Sequence, residues 1–411
     1  MWFFASPQII YGEGSLSYLE RLQGTRACIV TDAVLLKLGL VEKVKAALAP
    51  TGMALDVIAD VEPEPPLETV RRGAARLLDL CPQWIIALGG GSVIDAAKAM
   101  WVLYERPDLQ PDAINPVEAL GLRQKARLVA IPTTTGTGSE ATWAIVLTDT
   151  AEHRKLGLGS RENLPDLAIL DPELVLDLPA RLTADTGLDA LTHAVEGYTS
   201  ALHNDFCDGL CLQAARLLFE WLPQAVADGS NLEARIHTQN AAAMAGLGFG
   251  NGMAALAHGM GHALGGALHV PHGRAVSLFL PYTIEYCAGE PGTRYADLAA
   301  FLGLPAASEA QAAAALAEAI RNLERRLGQP LTLPECGITR AAFEAALDAL
   351  VWNAQGDSQT VMSTRLPDDA DLRRLFWLAW EGENAPSPLP RGRGNKVDCG
   401  FLCRETGQKT A

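Results

Sequence analysis

Apolar and polar positions alternate in two different ways along the first 180 residues or so of the chain. Short apolar runs that end at glycine, proline or aspartate predict strands, whereas apolar positions that repeat every three or four residues predict helices. Strands, each with the turn or loop that follows it, are predicted at residues 27–32, 55–66, 84–92, 127–140 and 167–172, and helices at 41–52, 67–80 and 92–105. The segment 144–160 predicts a hairpin. Strands that alternate with helices favour a parallel sheet covered by helices.

The pattern changes after Leu182, where the helical period dominates and no comparable strands occur. Predicted helices cover residues 184–201, 209–226, 233–249 and 308–328. A chain of 411 residues is also long enough for two cores. We therefore expect an α/β domain at residues 1–182 and an all-helical domain at 183–383, joined near 177–183. The tail at 384–411, rich in proline, glycine and basic residues, is predicted to be disordered.

Composition narrows the functional classes. Hydrophobic residues make up 49% of the chain and the net charge is −15, which opposes binding to nucleic acids or to anionic membrane surfaces. The sequence has no apolar run of the roughly 18 residues that span a bilayer, and its start lacks the pattern of a signal peptide. The eight cysteines are dispersed, and the spacings of Cys207 and Cys211 and of Cys399 and Cys403 are weak metal signals. We therefore expect free thiols in a cytoplasmic protein.

Two glycine-rich loops follow predicted strands and are candidates for binding phosphate. Gly89, Gly90 and Gly91 lie between a strand and a helix, where backbone N–H groups and the positive end of the helix dipole bind anions. Their spacing is not GxGxxG, and a loop of this kind is as often a plain turn. The second loop adds hydroxyl groups after another strand, at Thr133, Thr134, Thr135 and Thr137. The two loops together predict a nucleotide cleft at the carboxyl edge of the sheet, with Ser92 as a further donor.

Two acidic residues lie near these loops. Asp32 ends the first predicted strand, where a carboxylate either accepts hydrogen bonds from a ribose and repels a 2′-phosphate, or caps the next helix. Asp95 lies in the first turn of the helix after the glycines, where it either contributes to the cofactor site or only favours the helix dipole. A ribose contact at Asp32 predicts a preference for NAD over NADP.

Four of the eight histidines lie within one short glycine-rich segment. His258 and His262 are four residues apart on a predicted helix, as are Asp189 and His193, so each pair shares one helix face. His272 follows the first pair. Imidazoles and a carboxylate that converge suit Fe, Zn, Co or Mn, although either pair alone is more often incidental. The remaining histidines carry no such spacing: His153, His203, His237 and His269.

Glycines surround the histidines of this segment. Each glycine weakens a helix by roughly 1 kcal/mol relative to alanine. The sequence therefore predicts that the histidine helix approaches another backbone or a ligand closely, at Gly259, Gly261, Gly265 and Gly266.

Four segments resemble, in the same order, the iron-containing (group III) alcohol dehydrogenase family. They are GGGSVIDAAK, IPTTTGTGSEAT, GLDALTHAVEGY and HGMGHALGGALHVPHG. The resemblance covers about residues 5–382 and implies the fold that this family shares with dehydroquinate synthase: an N-terminal parallel-sheet nucleotide-binding domain and an all-α C-terminal metal-binding domain. It implies an NAD(P)-linked oxidoreductase that transfers hydride between nicotinamide and a small alcohol or aldehyde, and it implies a homodimer.

The resemblance also implies roles for single residues. The metal ligands, usually of Fe²⁺ and sometimes of Zn²⁺, are expected to be Asp189, His193, His258 and His272. The cofactor site is expected to include Asp32, Gly90, Gly91, Ser92, Thr133, Thr134, Thr137 and Lys155. His262 is expected between metal, substrate and nicotinamide, as a proton relay or as a group that only shapes the pocket, and Phe249 is expected to line the substrate pocket. Ala144 stands where some diol-active relatives have an amide, which argues against a diol substrate.

Three alternatives remain open. A metal- and NAD-dependent cyclase of the dehydroquinate synthase type needs several basic side chains, and few surround His258 in the sequence. A reductase of the maleylacetate reductase type lacks the full set of ligands. A regulator that binds nucleotide or metal without catalysis would not require intact motifs on both sides of the cleft, so their presence argues against it. The substrate, the resident metal and the preferred direction of the reaction cannot be read from the sequence.

Overall fold

A computed structural model of the protein describes residues 3–151 and 154–382. The tail predicted at 384–411 lies outside the described residues, and so does His153. The limits of the two domains stay a prediction. Among the helices of the described residues, none combines the length and the apolar character needed to cross a membrane.

The strands of the described residues are β1 (Gln8–Tyr11), β2 (Arg26–Val30), β3 (Ala54–Ile58), β4 (Trp84–Gly89), β5 (Arg127–Pro132), β6 (Ala144–Asp149), β7 (Arg154–Gly159) and β8 (Leu167–Leu170). Six of them form one sheet in the order β1-β8-β5-β4-β2-β3. Every neighbouring pair in this sheet is parallel, as the alternation of strands and helices predicts. The predicted hairpin is also confirmed, because β6 and β7 pair antiparallel to each other.

The strand β1 is the element of the sheet that the apolar pattern did not predict. It has four residues, pairs with β8, and lies at the edge of the sheet, where Tyr11 is 67% exposed. An edge strand of this length buries little on either face, so its sequence shows no clear period of two.

Helices cover both faces of the sheet because successive side chains of each strand point to opposite faces. In β4, Ile85 and Ala87 join one apolar cluster, while Ile86 and Leu88 join the other. The helices of this half are α1 (Ala33–Lys37), α2 (Leu40–Leu48), α3 (Leu67–Leu80) and α4 (Gly91–Glu105). The helices α3 and α4 pack on one face, and α2 packs on the other together with a 3₁₀ helix at Ser15–Arg21.

From residue 180 onward, the described part of the chain forms helices and no strand. They are α5 (Ala180–Thr199), α6 (Asp205–Ala227), α7 (Leu232–Gly252), α8 (Leu256–Leu268), α9 (His272–Cys287), α10 (Tyr295–Phe301), α11 (Glu309–Arg326), α12 (Arg340–Gly356) and α13 (Asp369–Glu381). The helix α5 lies at the centre of this half, packed against α6, α7 and α9. Its Ala184, Leu188 and Leu191 are fully buried, so the polar side chains that α5 carries are held in a rigid core.

A buried arginine ties the connection between the two halves to the helices. Arg235 of α7 is fully buried and donates hydrogen bonds to the carbonyl oxygens of Leu176 and Leu178 at 3.3 and 2.9 Å. It also donates to Thr183 Oγ1 at 2.8 Å. Because α5 already begins at Ala180, the segment predicted as the junction is short and anchored to the helical half.

Candidate metal and nucleotide site

Four residues that lie far apart in the sequence converge in the helical half. Asp189 and His193 lie one turn apart on α5, His258 lies in the first turn of α8, and His272 is the first residue of α9. Each of the four offers one oxygen or nitrogen atom, and these atoms all lie within 4.8 Å of one another. From Asp189 Oδ1 the imidazole nitrogens are 3.9 Å (His193 Nδ1), 3.8 Å (His258 Nε2) and 3.3 Å (His272 Nε2) away.

Three of the converging atoms have no hydrogen-bond partner among the described residues. They are Asp189 Oδ1, His193 Nδ1 and His258 Nε2, and all three are buried. A buried polar atom that lacks a hydrogen-bond partner lowers the stability of the fold by about 1–3 kcal/mol. Three such atoms that face the same point therefore indicate a bound ligand. One carboxylate oxygen and three imidazole nitrogens form a donor set that suits iron or zinc. The residues therefore fit a divalent metal ion.

The protonation states of the cluster also suit a metal. Burial alone would raise the pKa of Asp189, but the imidazoles of His193 and His272 hold that pKa well below its usual range. Burial lowers the pKa of His193 to about 3, although the carboxylate of Asp189 acts in the opposite direction. Asp189 is thus ionised and His193 is neutral at pH 7, which are the states that metal ligands require.

The glycines of the histidine segment explain how α8 and α9 come close to their neighbours. A Cβ atom on Gly273 would collide with the carbonyl oxygen of Asp185, so a glycine lets α9 begin against α5. A Cβ on Gly261 would lie 2.5 Å from Val276 Cγ1, and one on Gly259 would collide with the hydroxyl of Thr360.

The prediction of close approach is confirmed at Gly259 and Gly261 and is only weakly met at Gly265, where a Cβ would lie 3.3 Å from the carbonyl oxygen of Val270. It is wrong for Gly266, which faces open space.

Glu196 contacts His258 of the cluster and the start of α8. Its Oε2 lies 2.5 Å from His258 Nδ1, and its two oxygens accept hydrogen bonds from the backbone N–H groups of Ala255 (3.0 Å) and Ala257 (2.6 Å). The carboxylate thus caps the start of α8 and holds the His258 imidazole with Nε2 toward the cluster. Sequence reasoning missed Glu196. The available signal was its position three residues after His193, which puts it on the same face of α5.

His262 lies at the edge of the cluster and is not one of the four converging residues. Its ring centroid is 5.3 Å from that of His272, and its Nδ1 lies 2.8 Å from Asp357 Oδ2. Burial would raise the pKa of Asp357, but the hydrogen bond and the charge of His262 lower it overall. Asp357, at the end of α12, was also missed, because the 95 residues between the two partners leave no local pattern.

Phe249 lies directly against the cluster. Its ring stacks on the His193 imidazole with a centroid distance of 3.9 Å and an interplanar angle of 9°. Trp143 lies beside the same end of α7, since its indole N–H donates to the carbonyl oxygen of Gly250 at 2.7 Å. Ala144, the next residue, begins β6 with its side chain half-buried. Phe249 is therefore an aromatic side chain in direct contact with the cluster, and a substrate contact at Phe249 stays a prediction.

The two glycine loops lie side by side at the carboxyl edge of the sheet. They follow β4 and β5, which are neighbours, and Thr133 donates its backbone N–H to the Gly89 carbonyl oxygen at 3.0 Å. A Cβ on Gly90 would lie 3.3 Å from Thr134 Cγ2, and one on Gly91 would lie 2.7 Å from Thr137 Cγ2. The helix α4 begins at Gly91, with Ser92 in its first turn. The loops thus present threonine side chains and the start of a helix at one edge, an arrangement that binds phosphate.

Asp32 follows β2, which is the other neighbour of β4. Its Oδ1 accepts hydrogen bonds from the backbone N–H groups of Val34 and Leu35, at 2.8 and 2.9 Å, so the helix-cap alternative is confirmed. A carboxylate has a second oxygen, and a contact of that oxygen with a ribose stays a prediction. Lys155 of β7 forms an ion pair with Glu64 at 2.7 Å.

Asp95 requires a correction. Its side chain is buried and both of its oxygens have partners within the protein: Ser139 Oγ at 2.9 Å and the backbone N–H of Val146 at 2.9 Å. Its Oδ1 also lies 3.7 Å from the ammonium group of the fully buried Lys98. Asp95 therefore joins α4 to the second glycine loop and to β6, and we leave it out of the cofactor site.

The second glycine loop packs directly on the helical half. A Cβ on Gly138 would lie 2.6 Å from Gly246 Cα on α7, and one on Gly136 would lie 2.5 Å from Thr186 Cβ on α5. Thr186 is one turn before Asp189 on the same helix. The second glycine loop therefore packs against α5 within one turn of the cluster of imidazoles.

Comparison with known protein families gives two matches that together span most of the chain. The model described as iron-containing alcohol dehydrogenase matches residues 6–172. The model described as the C-terminal part of the Fe-containing alcohol dehydrogenase family matches residues 183–375.

Individual relatives agree with these matches. The chain is 37% identical to the NADPH-dependent butanol dehydrogenase of Clostridium saccharobutylicum, over 93% of this chain and 98% of that protein. It is 38% identical to the 1-propanol dehydrogenase of Salmonella typhimurium, over 91% and 98%. A solved structure of 1,3-propanediol oxidoreductase superposes with a TM-score of 0.86 at 33% identity, over 92% of this chain and all of that one. Other relatives are bifunctional aldehyde-alcohol dehydrogenases, and the chain spans 43% of the one from Escherichia coli.

Proposed function

The chain belongs to the iron-containing alcohol dehydrogenase family, and on that premise we propose that it interconverts a short, uncharged alcohol and its aldehyde, with NAD as the preferred cofactor. As a member of the family it is an NAD(P)-dependent alcohol dehydrogenase. The observation that carries the proposal is the cluster of Asp189, His193, His258 and His272, whose facing atoms lie within 4.8 Å of one another beside the glycine loops.

We assign the cluster to a resident Fe²⁺, with Zn²⁺ as the alternative ion. A bound divalent ion polarises the oxygen of the substrate as a Lewis acid. The chain contributes an ionised carboxylate at Asp189 and a neutral imidazole at His193, both buried. Glu196 holds the proton on His258 Nδ1, so that Nε2 is free to bind the ion.

We assign the dinucleotide to the edge of the sheet, where it is held by Asp32, Gly90, Gly91, Ser92, Thr133, Thr134, Thr137 and Lys155. The start of α4 attracts the pyrophosphate, and the threonine hydroxyls donate to its oxygens. The carboxylate of Asp32 accepts from a ribose hydroxyl and repels a 2′-phosphate. The butanol dehydrogenase of Clostridium saccharobutylicum is named as NADPH-dependent, so this chain is expected to differ from that relative in cofactor preference.

His262 is the group that we assign to proton transfer. An imidazole has two ring nitrogens, so it can accept a proton on one and donate a proton from the other, as a relay requires. Its Nδ1 is engaged by Asp357, which leaves Nε2 available to the substrate side of the cleft. The side chain of His262 is 21% exposed, so a proton that it takes up can pass on to solvent.

The substrate class follows from the walls of the cleft. Phe249, Trp143 and the small side chain of Ala144 offer apolar contacts and no charge, which favours a short unbranched alcohol over a diol or an acid. We also propose a homodimer in the cytoplasm. The six described cysteines are free thiols, as expected in a reducing compartment.

One assay tests the proposal. Purified protein loaded with Fe²⁺ should oxidise NADH with acetaldehyde, propanal and butanal, and a chelator should abolish the activity. Activity on maleylacetate, or cyclase activity without net oxidation of NADH, would overturn the assignment. So would aldehyde reduction that persists after the protein has been stripped of metal.

A further inference from the structure

A buried ion pair that the proposed reaction does not use joins α5 to the start of α9. Arg274 Nη2 donates to both oxygens of Asp185, at 3.0 and 2.7 Å, and Nε lies 3.3 Å from Asp185 Oδ1. The same Nε donates to Gln329 Oε1 at 3.3 Å. The side chains of Arg274 and Asp185 are only 9% and 10% exposed.

A contact within the metal cluster joins the same two helices as this ion pair. Asp185 and Asp189 are one turn apart on α5, and His272 and Arg274 both lie in the first turn of α9. The same two helices are therefore linked twice, by Arg274 to Asp185 and by His272 to Asp189, whose facing atoms are 3.3 Å apart.

The position of His272 depends on this ion pair more than the positions of the other three ligands do. Its side chain is 33% exposed, whereas those of Asp189, His193 and His258 are 2–5% exposed. It is also the first residue of its helix, directly after the N-cap residue Pro271. Burial in the core fixes the other three, so the position of His272 rests on whatever holds the first turn of α9.

We propose that Arg274 and Asp185 are positioning residues for the metal site, which set the affinity for the ion by holding His272 against α5. The inference rests on the proposed function, because it takes the cluster to be a metal site. Arg274 acts through His272 and touches none of the four ligand atoms. Its planar guanidinium suits the role because it bonds both oxygens of one carboxylate at once.

The chain offers a control on the same helix, in an ion pair whose carboxylate is 44% exposed. Arg321 of α11 forms a second two-pronged pair with Glu285 of α9, at 2.5 and 2.9 Å. Glu285 is 13 residues beyond His272, which is about 20 Å along the helix. Arg321→Gln therefore breaks a pair of the same chemistry on the same helix without disturbing the first turn.

The experiment measures the dissociation constant of Zn²⁺ for metal-free protein by competition with a chromogenic chelator. Arg274→Gln should weaken binding by about 10–100-fold, the range for residues that support metal ligands, and Arg274→Lys should give a smaller loss. The double variant Asp185→Asn with Arg274→Gln leaves no unpaired charge in the core, which protects the fold, and should still bind zinc weakly. Arg321→Gln should stay within about twofold of the unmodified chain. Circular dichroism of each variant reports the fold.

Each outcome decides a different point. Zinc affinity of Arg274→Gln and of the double variant equal to that of the unmodified chain would overturn the positioning role and leave the metal site intact. Equal losses in Arg274→Gln and Arg321→Gln would also overturn it, because the effect would then be one of general stability. A lack of zinc binding by the unmodified chain would instead overturn the proposed function.

Discussion

The Nδ1 atom of His258 lies 2.5 Å from Glu196 Oε2, and the Nε2 atom of the same ring lies 3.8 Å from Asp189 Oδ1. One imidazole thus bridges a buried carboxylate and the cluster. The hydrogen bond to Glu196 keeps a proton on Nδ1 and leaves the lone pair of Nε2 for a cation.

Replacing this buried carboxylate should weaken metal binding without removing a ligand. Glu196→Gln should raise the dissociation constant of Zn²⁺ by about 10–100-fold, since one carboxylate oxygen becomes an NH₂ group that cannot accept a hydrogen bond, and the negative charge that holds the His258 proton is lost. Metal titration of the stripped protein checks this. The exposed Glu220→Gln on α6 is the control and should match the unmodified chain.

Removing a ligand should abolish metal retention. Asp189→Ala and His258→Ala should purify without metal and lose turnover, while circular dichroism stays unchanged, because both side chains are held by the surrounding core rather than holding it. Metal content by mass spectrometry and NADH oxidation are the readouts. His237→Gln, which removes an imidazole outside the cluster, should keep its metal. Turnover by metal-free Asp189→Ala would contradict the assignment of these ligands.

Cofactor preference should respond to the charge at residue 32. Asp32→Ser retains a side-chain oxygen that caps α1 and removes the negative charge, so the ratio of kcat/KM for NADH over NADPH should fall about tenfold or more, equivalent to about 1.4 kcal/mol. Asp32→Ala should change the ratio similarly but should also cost about 1 kcal/mol of stability through the lost cap. An unchanged ratio in both variants would mean that Asp32 acts only as the cap.

Proton transfer should depend on His262 more than on Asp357. His262→Asn should lower kcat by about 10²-fold or more, because the general acid–base group is lost. Asp357→Asn should lower kcat less, since the amide still contacts the ring but no longer orients it by charge. Stopped-flow kinetics with a metal assay separates this effect from metal loss. If His262→Asn reacted at the normal rate, the imidazole would be a wall of the pocket and not a relay.

One buried carboxyl group should make the folded protein less stable as the pH rises. Burial raises the pKa of Glu140, in the loop after β5, from its ordinary 4.5 to about 7. A raised folded-state pKa contributes stability below pH 4.5 that is lost as the pH rises through 7. Relative to Glu140→Gln, the free energy of unfolding of the unmodified chain should therefore fall by up to about 3 kcal/mol across this window. Urea unfolding at several pH values checks this, and the exposed Glu118→Gln should show no such trend.

The local elements of the fold were readable because each carries its own period. Five strands of the sheet, the hairpin and a helix at residues 184–201 were predicted from apolar spacing, and the structure has this helix at Ala180–Thr199. The position of Asp189 and His193 on one face follows from their spacing on that helix. The edge strand β1 was not readable, because four partly exposed residues carry no period. Glu196 and Asp357 were not assigned either, since their partners lie 62 and 95 residues away.

The sequence by itself determined the two kinds of architecture, the two glycine loops and a set of histidines and aspartates able to bind a cation, since these depend on neighbours along the chain. Only the tertiary structure decided which of them meet. It brought α5, α8 and α9 together through close contacts at Gly261 and Gly273. It also buried the side chain of Asp95, whose oxygens are hydrogen-bonded within the protein. The physical reason is that contact between distant segments depends on how whole helices pack, and no local spacing encodes that packing.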